Sequence, residues 1–213
     1  MKPLTLDHVA LWVADRERMT AVATERVGLR VIEQTDRFTL LGGGDARRGK
    51  LTLFDAEGRR EQGPLERIGL RVSSLDGRDP VVDLGEGLEL VLVETETDSD
   101  LDLDHVALRS GDVGAAVAGW EELGFVSLGD GRLEVGGAYL ELVEGDPGDA
   151  DRPLLNHIGV LVDSVADHQA AAEDLGVEID DLVDAPNTLA LFVWGPDRVK
   201  LEYVEHKPSF SLS

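Results

Sequence analysis

Leu103-Asp104-His105-Val106-Ala107-Leu108 carries the pattern on which the chain is built. Three other segments open alike: Leu6-Asp7-His8-Val9-Ala10-Leu11, Glu66-Arg67-Ile68-Gly69-Leu70 and Leu155-Asn156-His157-Ile158-Gly159-Val160. Three of the five histidines fall in one register of this repeat. Each segment alternates with period two and reads as a strand. Val106 and Leu108 point to one face; His105, Ala107 and Arg109 point to the other.

Working outward, a helix is expected after three of these strands: about Asp15 to Val27, Asp112 to Leu123 and Ser164 to Leu175. Asp15, Asp112 and Ser164 suit N-caps, and Gly28, Gly124 and Gly176 suit the left-handed residue past the end. The units also close alike, with Lys50-Leu51-Thr52-Leu53-Phe54, Gly87-Leu88-Glu89-Leu90-Val91, Tyr139-Leu140-Glu141-Leu142-Val143 and Lys200-Leu201-Glu202-Tyr203-Val204. The second unit, about 65 to 97, is too short for a helix and is broken by Gly77, Pro80, Gly85 and Gly87. The chain is therefore α+β: four tandem βαβββ-type units, the second degenerate. The acidic run Glu94 to Asp102 is the best linker, dividing units one and two (1–98) from units three and four (99–213).

Composition narrows the function. Of 213 residues, 42% are hydrophobic, enough for a packed core. Cysteine is absent, which excludes disulfide frameworks, thiol nucleophiles and thiolate metal sites. Any metal must sit on His, Asp or Glu. Asp and Glu number 43 against 20 Lys and Arg, so the formal net charge is −23. Nucleic-acid binding, which needs a basic surface, is disfavoured. Only Lys2, Lys50, Lys200 and Lys207 are lysines, and this acidic, lysine-poor balance suits a protein working in concentrated salt. A GC-rich genome gives the same trade of Lys for Arg. No apolar run approaches the length of a membrane span. Met1 leads at once into a strand pattern, so no secretory leader is expected. A cytoplasmic location is expected.

The ordered recurrence of His-Val-Ala-Leu and Leu-Glu-Leu/Tyr motifs, with this layout of units, resembles the vicinal oxygen chelate superfamily. Glyoxalase I, methylmalonyl-CoA epimerase, bleomycin-resistance proteins and extradiol ring-cleaving dioxygenases belong to it. The resemblance covers nearly the whole chain and implies two half-barrels, each of two units, whose first and last strands can hold one metal. Carried onto units three and four, the ligand positions are His105, Glu141, His157 and Glu202. In units one and two they are His8, Thr52, Arg67 and Glu89, where a hydroxyl and a fixed cation replace two ligands. The C-terminal half is thus expected to hold the metal and the N-terminal half to be scaffold, with His8 structural. Two inward glutamates with no cation beside them would repel each other, which also favours a metal there.

Two imidazoles and two carboxylates suit Ni, Co, Zn, Mn or Fe(II) and leave about two open positions for neighbouring oxygens of a small-molecule substrate. The expected chemistry is enediolate-type proton transfer by a lyase or isomerase, with Glu141 or Glu202 as ligand and base. The alternative is an extradiol dioxygenase with Fe(II) on His105, His157 and Glu202. Those enzymes carry a His and a Tyr ahead of the last ligand; here the Tyr position falls at about Phe192, and no His lies upstream in the stretch Asp184 to Pro196. A third reading is non-catalytic drug binding of the bleomycin-resistance type. Arg109 is a candidate anchor for a substrate anion, or else a structural ion pair. Tyr139, Phe192, Trp194 and Trp120 are candidate cleft aromatics. A homodimer is possible, since half-barrels of this superfamily often pair.

Overall fold

The computed structural model describes residues 1–43 and 50–210. Unit one comprises β1 (Thr5–Val13), α1 (Arg16–Val22, continued as a π-helical turn Ala23–Val27), β2 (Arg30–Gln34), β3 (Phe38–Gly42) and β4 (Lys50–Asp55). Unit two has strands alone: β5 (Leu65–Val72), β6 (Val81–Gly85) and β7 (Leu88–Glu94). Unit three has β8 (Asp102–Ser110), α2 (Val113–Glu122), β9 (Val126–Gly129), β10 (Arg132–Val135) and β11 (Ala138–Glu144). Unit four has β12 (Leu155–Leu161), α3 (Val165–Leu175), β13 (Ile179–Asp184), β14 (Thr188–Trp194) and β15 (Lys200–His206).

The helix signals act as expected. The side chains of Asp15, Asp112 and Ser164 accept from the backbone N–H of Arg18, Ala115 and Asp167, satisfying donors that an uncapped first turn would leave orphaned. Gly28 and Gly176 terminate the outer helices in the left-handed region. No helix among the described residues is long and apolar enough to cross a membrane.

The strands form two sheets. One has eight strands in the order β13-β14-β15-β12-β1-β4-β3-β2; the other has seven, β6-β7-β5-β8-β11-β10-β9. Unit one therefore pairs with unit four, and unit two with unit three. This differs from the expected pairing within 1–98 and within 99–213. The physical reason is that period-two patterning fixes which face a residue takes and says nothing about which strand lies alongside.

Each sheet turns one face into a continuous apolar core. Val9, Leu11, Val13, Leu51, Leu53, Ile158, Val160 and Leu201 of the first sheet are fully buried, as are Ile68, Leu70, Val106 and Leu140 of the second. Trp120, expected as a cleft aromatic, is 1% exposed and packs edge-on to Phe125 in this core. The Tyr203 hydroxyl donates to the Leu123 carbonyl at 2.8 Å, so β15 is tied to the end of α2 in another unit. That bond satisfies the one polar atom of a ring otherwise enclosed in apolar surroundings. The opposite faces carry the repeat histidines.

Candidate metal centre

Three adjacent strands of the first sheet, β1, β12 and β15, bring three side chains to one point. In the register, His8 lies opposite Gly159, Ala10 opposite His157, and Gly159 opposite Glu202. All three side chains therefore project from the same face. Gly159 is required here. A Cβ on it would stand 2.3 Å from Cε1 of His8, so only glycine leaves room for the imidazole to lie across the neighbouring strand.

The ligand atoms form a nearly equilateral triangle. His8 Nε2 lies 2.8 Å from His157 Nε2 and 2.9 Å from Glu202 Oε2; His157 Nε2 lies 3.0 Å from Glu202 Oε2. Among the described residues this is the one group of three or more potential metal ligands drawn so close together. The outer ring nitrogens are committed elsewhere. His8 Nδ1 donates to the Asp7 carboxylate at 2.8 Å, and His157 Nδ1 donates to the Asn156 side-chain oxygen at 3.1 Å. Asp7, itself 2% exposed, also receives the buried Lys50 ammonium at 2.7 Å. With both Nδ1 protons so fixed, neutral imidazoles would aim two lone pairs at each other and at a carboxylate. The arrangement demands a cation.

Without a metal that cation is a proton on His8. Burial alone would lower the His8 pKa, but the carboxylates of Glu202 and Asp7 outweigh it and raise it to about 9. Burial would raise Asp7, yet Lys50 and His8 hold it at about 2. Glu202 is likewise held well below the usual carboxylate range, burial being overcome by His8 and His157. His157 is shifted downward, chiefly by burial, and stays neutral.

The donor set also fits a first-row divalent metal. Ligand atoms about 2.0–2.1 Å from a common centre at right angles stand about 2.8–3.0 Å apart, whereas tetrahedral angles would put them about 3.3–3.4 Å apart. The observed edges match one face of an octahedron. Outer imidazole nitrogens anchored by a carboxylate and an amide oxygen are the usual support for metal-bound histidine.

This trio differs from the expected four. His157 and Glu202 are present, but their third partner is His8, expected to be structural, because β1 rather than β8 lies beside β12. His105 and Glu141 lie in the second sheet, on β8 and β11, where β5 supplies Arg67. The Arg67 guanidinium approaches His105 Nε2 at 3.4 Å and pairs closely with the Glu141 carboxylate, which Arg132 also reaches at 3.2 Å. Glu89 is exposed and lies opposite Arg67; the register position matching Glu202 is Val91, opposite Gly69. One signal was available. A fixed cation at Arg67 needs a carboxylate, and pairing with unit three supplies Glu141 where unit one offers only Thr52.

The candidate substrate contacts separate in the same way. Arg109 forms an ion pair with Glu66 and also donates to the Gly63 carbonyl, and Tyr139 stacks on His105; both belong to the second sheet. Phe192 and Trp194 flank the metal centre. Phe192 lies opposite Glu202 and meets the His157 ring edge-on at 5.2 Å, and Lys200 sits 4.6 Å from the Trp194 ring. Trp12, Phe54 and Phe38 were missed. Trp12 and Phe54 are in register and 5.3 Å apart, and Phe38 is 5.9 Å from Phe54. All five aromatics are half-buried. A cavity of about 510 Å³ opens beside the site, lined by Trp12, Asn156, Trp194, Lys200 and the segment Pro147 to Pro153. That volume suits a small molecule.

The chain has the two-sheet fold seen in glyoxalase I. A Bacillus subtilis protein described provisionally as a dioxygenase superposes with a TM-score of 0.78 at 17% identity, over 97% of this chain and 86% of that one. Glyoxalase I from Zea mays superposes at 0.72 and 17% identity, over 94% and 92%. The cppA protein of Streptococcus pneumoniae superposes at 0.64 and 14% identity, over 96% and 98%. At these identities the likeness is one of fold. No protein-family model matches the chain, and neither does any curated protein sequence.

Proposed function

We propose that the protein is a metal-dependent enzyme of ring-cleaving dioxygenase type, acting on a small planar substrate with two neighbouring oxygens. The observation that carries this reading is the ligand set: two imidazoles and one carboxylate spaced as one face of an octahedron. That set is the hallmark of non-haem Fe(II) oxygenases. Fe(II) bound there would supply chelation of the two oxygens and activation of O₂.

The chain's own groups divide the remaining work. His8, His157 and Glu202 hold the metal, and Asp7 and Asn156 fix the two imidazoles in orientation and tautomer. Trp12, Phe54, Phe192 and Trp194 offer flat apolar surface and exclude water. Thr52, on the same face opposite Ala10, is the neighbouring hydroxyl able to hold a proton. For proton transfer of the lyase or isomerase kind, Glu202 is the one carboxylate of this trio and would have to serve as both ligand and base. Thr52 occupies the position where Glu141 was expected to serve, which weighs against that chemistry here.

The test is oxygen uptake by anaerobically Fe(II)-loaded protein on a panel of catechols, beside a panel of α-hydroxycarbonyl and α-ketoaldehyde adducts. Consumption of O₂ with ring opening, lost in His8→Ala, is the expected result. Isomerisation without O₂, or tight substrate binding with turnover of neither panel, would overturn the proposal in favour of a lyase/isomerase or a binding protein.

A further inference from the structure

The two sheets repeat one plan. In the first, Ala10 stands opposite His157 and Thr52, and His8 stands opposite Gly159. In the second, Ala107 stands opposite Arg67 and Glu141, and His105 stands opposite Gly69. The steric detail repeats too. A Cβ on Gly69 would come within 2.3 Å of His105 Cε1, the same clearance Gly159 leaves for His8. Asp104 accepts from His105 Nδ1 at 2.8 Å, as Asp7 does from His8. The anchored imidazole, the glycine beneath it and one inward carboxylate are thus present twice. Three positions differ: the second sheet has Arg67 in place of His157, Glu141 in place of Thr52 and Val91 in place of Glu202, so its carboxylate comes from the opposite flank.

We propose that the second sheet retains a metal-binding frame of His105 and Glu141 in which the Arg67 guanidinium stands in for the metal ion. Arg67 directs Nε–H toward the His105 Nε2 lone pair and a terminal N–H to Glu141, so one fixed cation satisfies both would-be ligands. Its planar fork and permanent charge suit it to that part, where a lysine ammonium would reach one partner. The second-sheet site is thereby kept free of divalent metal, and the ligand class it would accept is the same first-row divalent ion.

Cobalt(II) stoichiometry tests this by optical absorption and equilibrium dialysis on the full chain. Arg67→His should bind one more Co(II) per chain than the unaltered protein. Arg67→His combined with Glu141→Gln should lose that increment. The increment is read whatever the first site holds, so failure of the first site to take metal leaves this test intact. Folded Arg67→His protein with no added cobalt would overturn the proposal. Should Arg67→His not fold, the reciprocal change decides. His157→Arg should place a guanidinium against Glu202 and abolish cobalt binding at the first site, and retained binding would refute the stand-in.

Discussion

Gly159→Ala is the sharpest perturbation of the metal centre, because it adds one methyl group and no charge. The new Cβ would lie 2.3 Å from His8 Cε1 and 2.4 Å from Nδ1. Restoring a 3.4 Å contact requires the ring to retreat by about 1.1 Å. The ring cannot do so while keeping both of its bonds, because Asp7 holds Nδ1 at 2.8 Å and Nε2 completes a triangle with edges of 2.8–3.0 Å. Overpacking of this kind costs about 1–3 kcal/mol of stability. Metal affinity should fall by about 100-fold or more, since a first ligand is displaced rather than merely its support. Gly69→Ala makes the matching clash with His105 and is the natural control. It should lower the melting temperature by a similar amount and leave the affinity of the first site unchanged. Calorimetric titration with Co(II) and thermal melts of both variants provide the readouts. Gly159→Ala protein that binds cobalt as tightly as the unaltered chain would refute the reasoning about how His8 is placed.

Metal must displace the His8 proton. With that pKa raised to about 9, binding at pH 7 should release about one proton, measurable from the buffer dependence of the binding enthalpy. The sign for stability follows: the bound proton supports the metal-free fold fully below the ordinary imidazole value of 6.5, and that support is lost as pH rises through about 9. The rise in melting temperature caused by saturating metal should accordingly be larger at pH 9 than at pH 6.5. Asp7→Asn keeps an acceptor for His8 Nδ1 but removes the charge behind it, so metal affinity should drop about 10–100-fold, with the loss read by chelator competition. A net charge of −23 predicts a higher melting temperature in molar KCl than in 0.1 M KCl; equal midpoints would end the high-salt reading.

Strands, caps and the missing helix of unit two were legible because they are local. Asp112 before an apolar run and Gly176 after one carry their meaning within a few residues. The face of each residue was legible for the same reason, so His157 and Glu202 were found together. The partner of unit four was not. His8 and His105 sit in nearly identical hexapeptides, Leu6 to Leu11 and Leu103 to Leu108, and either fits beside β12 on pattern alone. The ligand set therefore turned on a long-range choice that periodicity cannot make. Charge gave a partial pointer: Arg67 pairs with Glu141 across the β5–β8–β11 sheet, and that pairing leaves His8 for unit four, but Glu89 in the same unit offered a rival carboxylate. The aromatics of the cleft were half found, since Phe192 and Trp194 precede Glu202 closely while Trp12, Phe38 and Phe54 come from the unit taken as scaffold.

The pairing of the first unit with the last has a consequence during synthesis. Sheet strands β5 to β11 can pair among themselves as soon as unit three has emerged from the ribosome, because their partners are neighbours in sequence. β1 must wait for β12, with one edge unpaired while more than half the chain is made. A contact between residues 8 and 202 is about as non-local as this chain allows, and such contacts form late and slowly. Metal capture at His8, His157 and Glu202 is therefore a signal of completion: a nascent chain arrested before β15 lacks Glu202 and with it the finished centre, however well its inner units have folded.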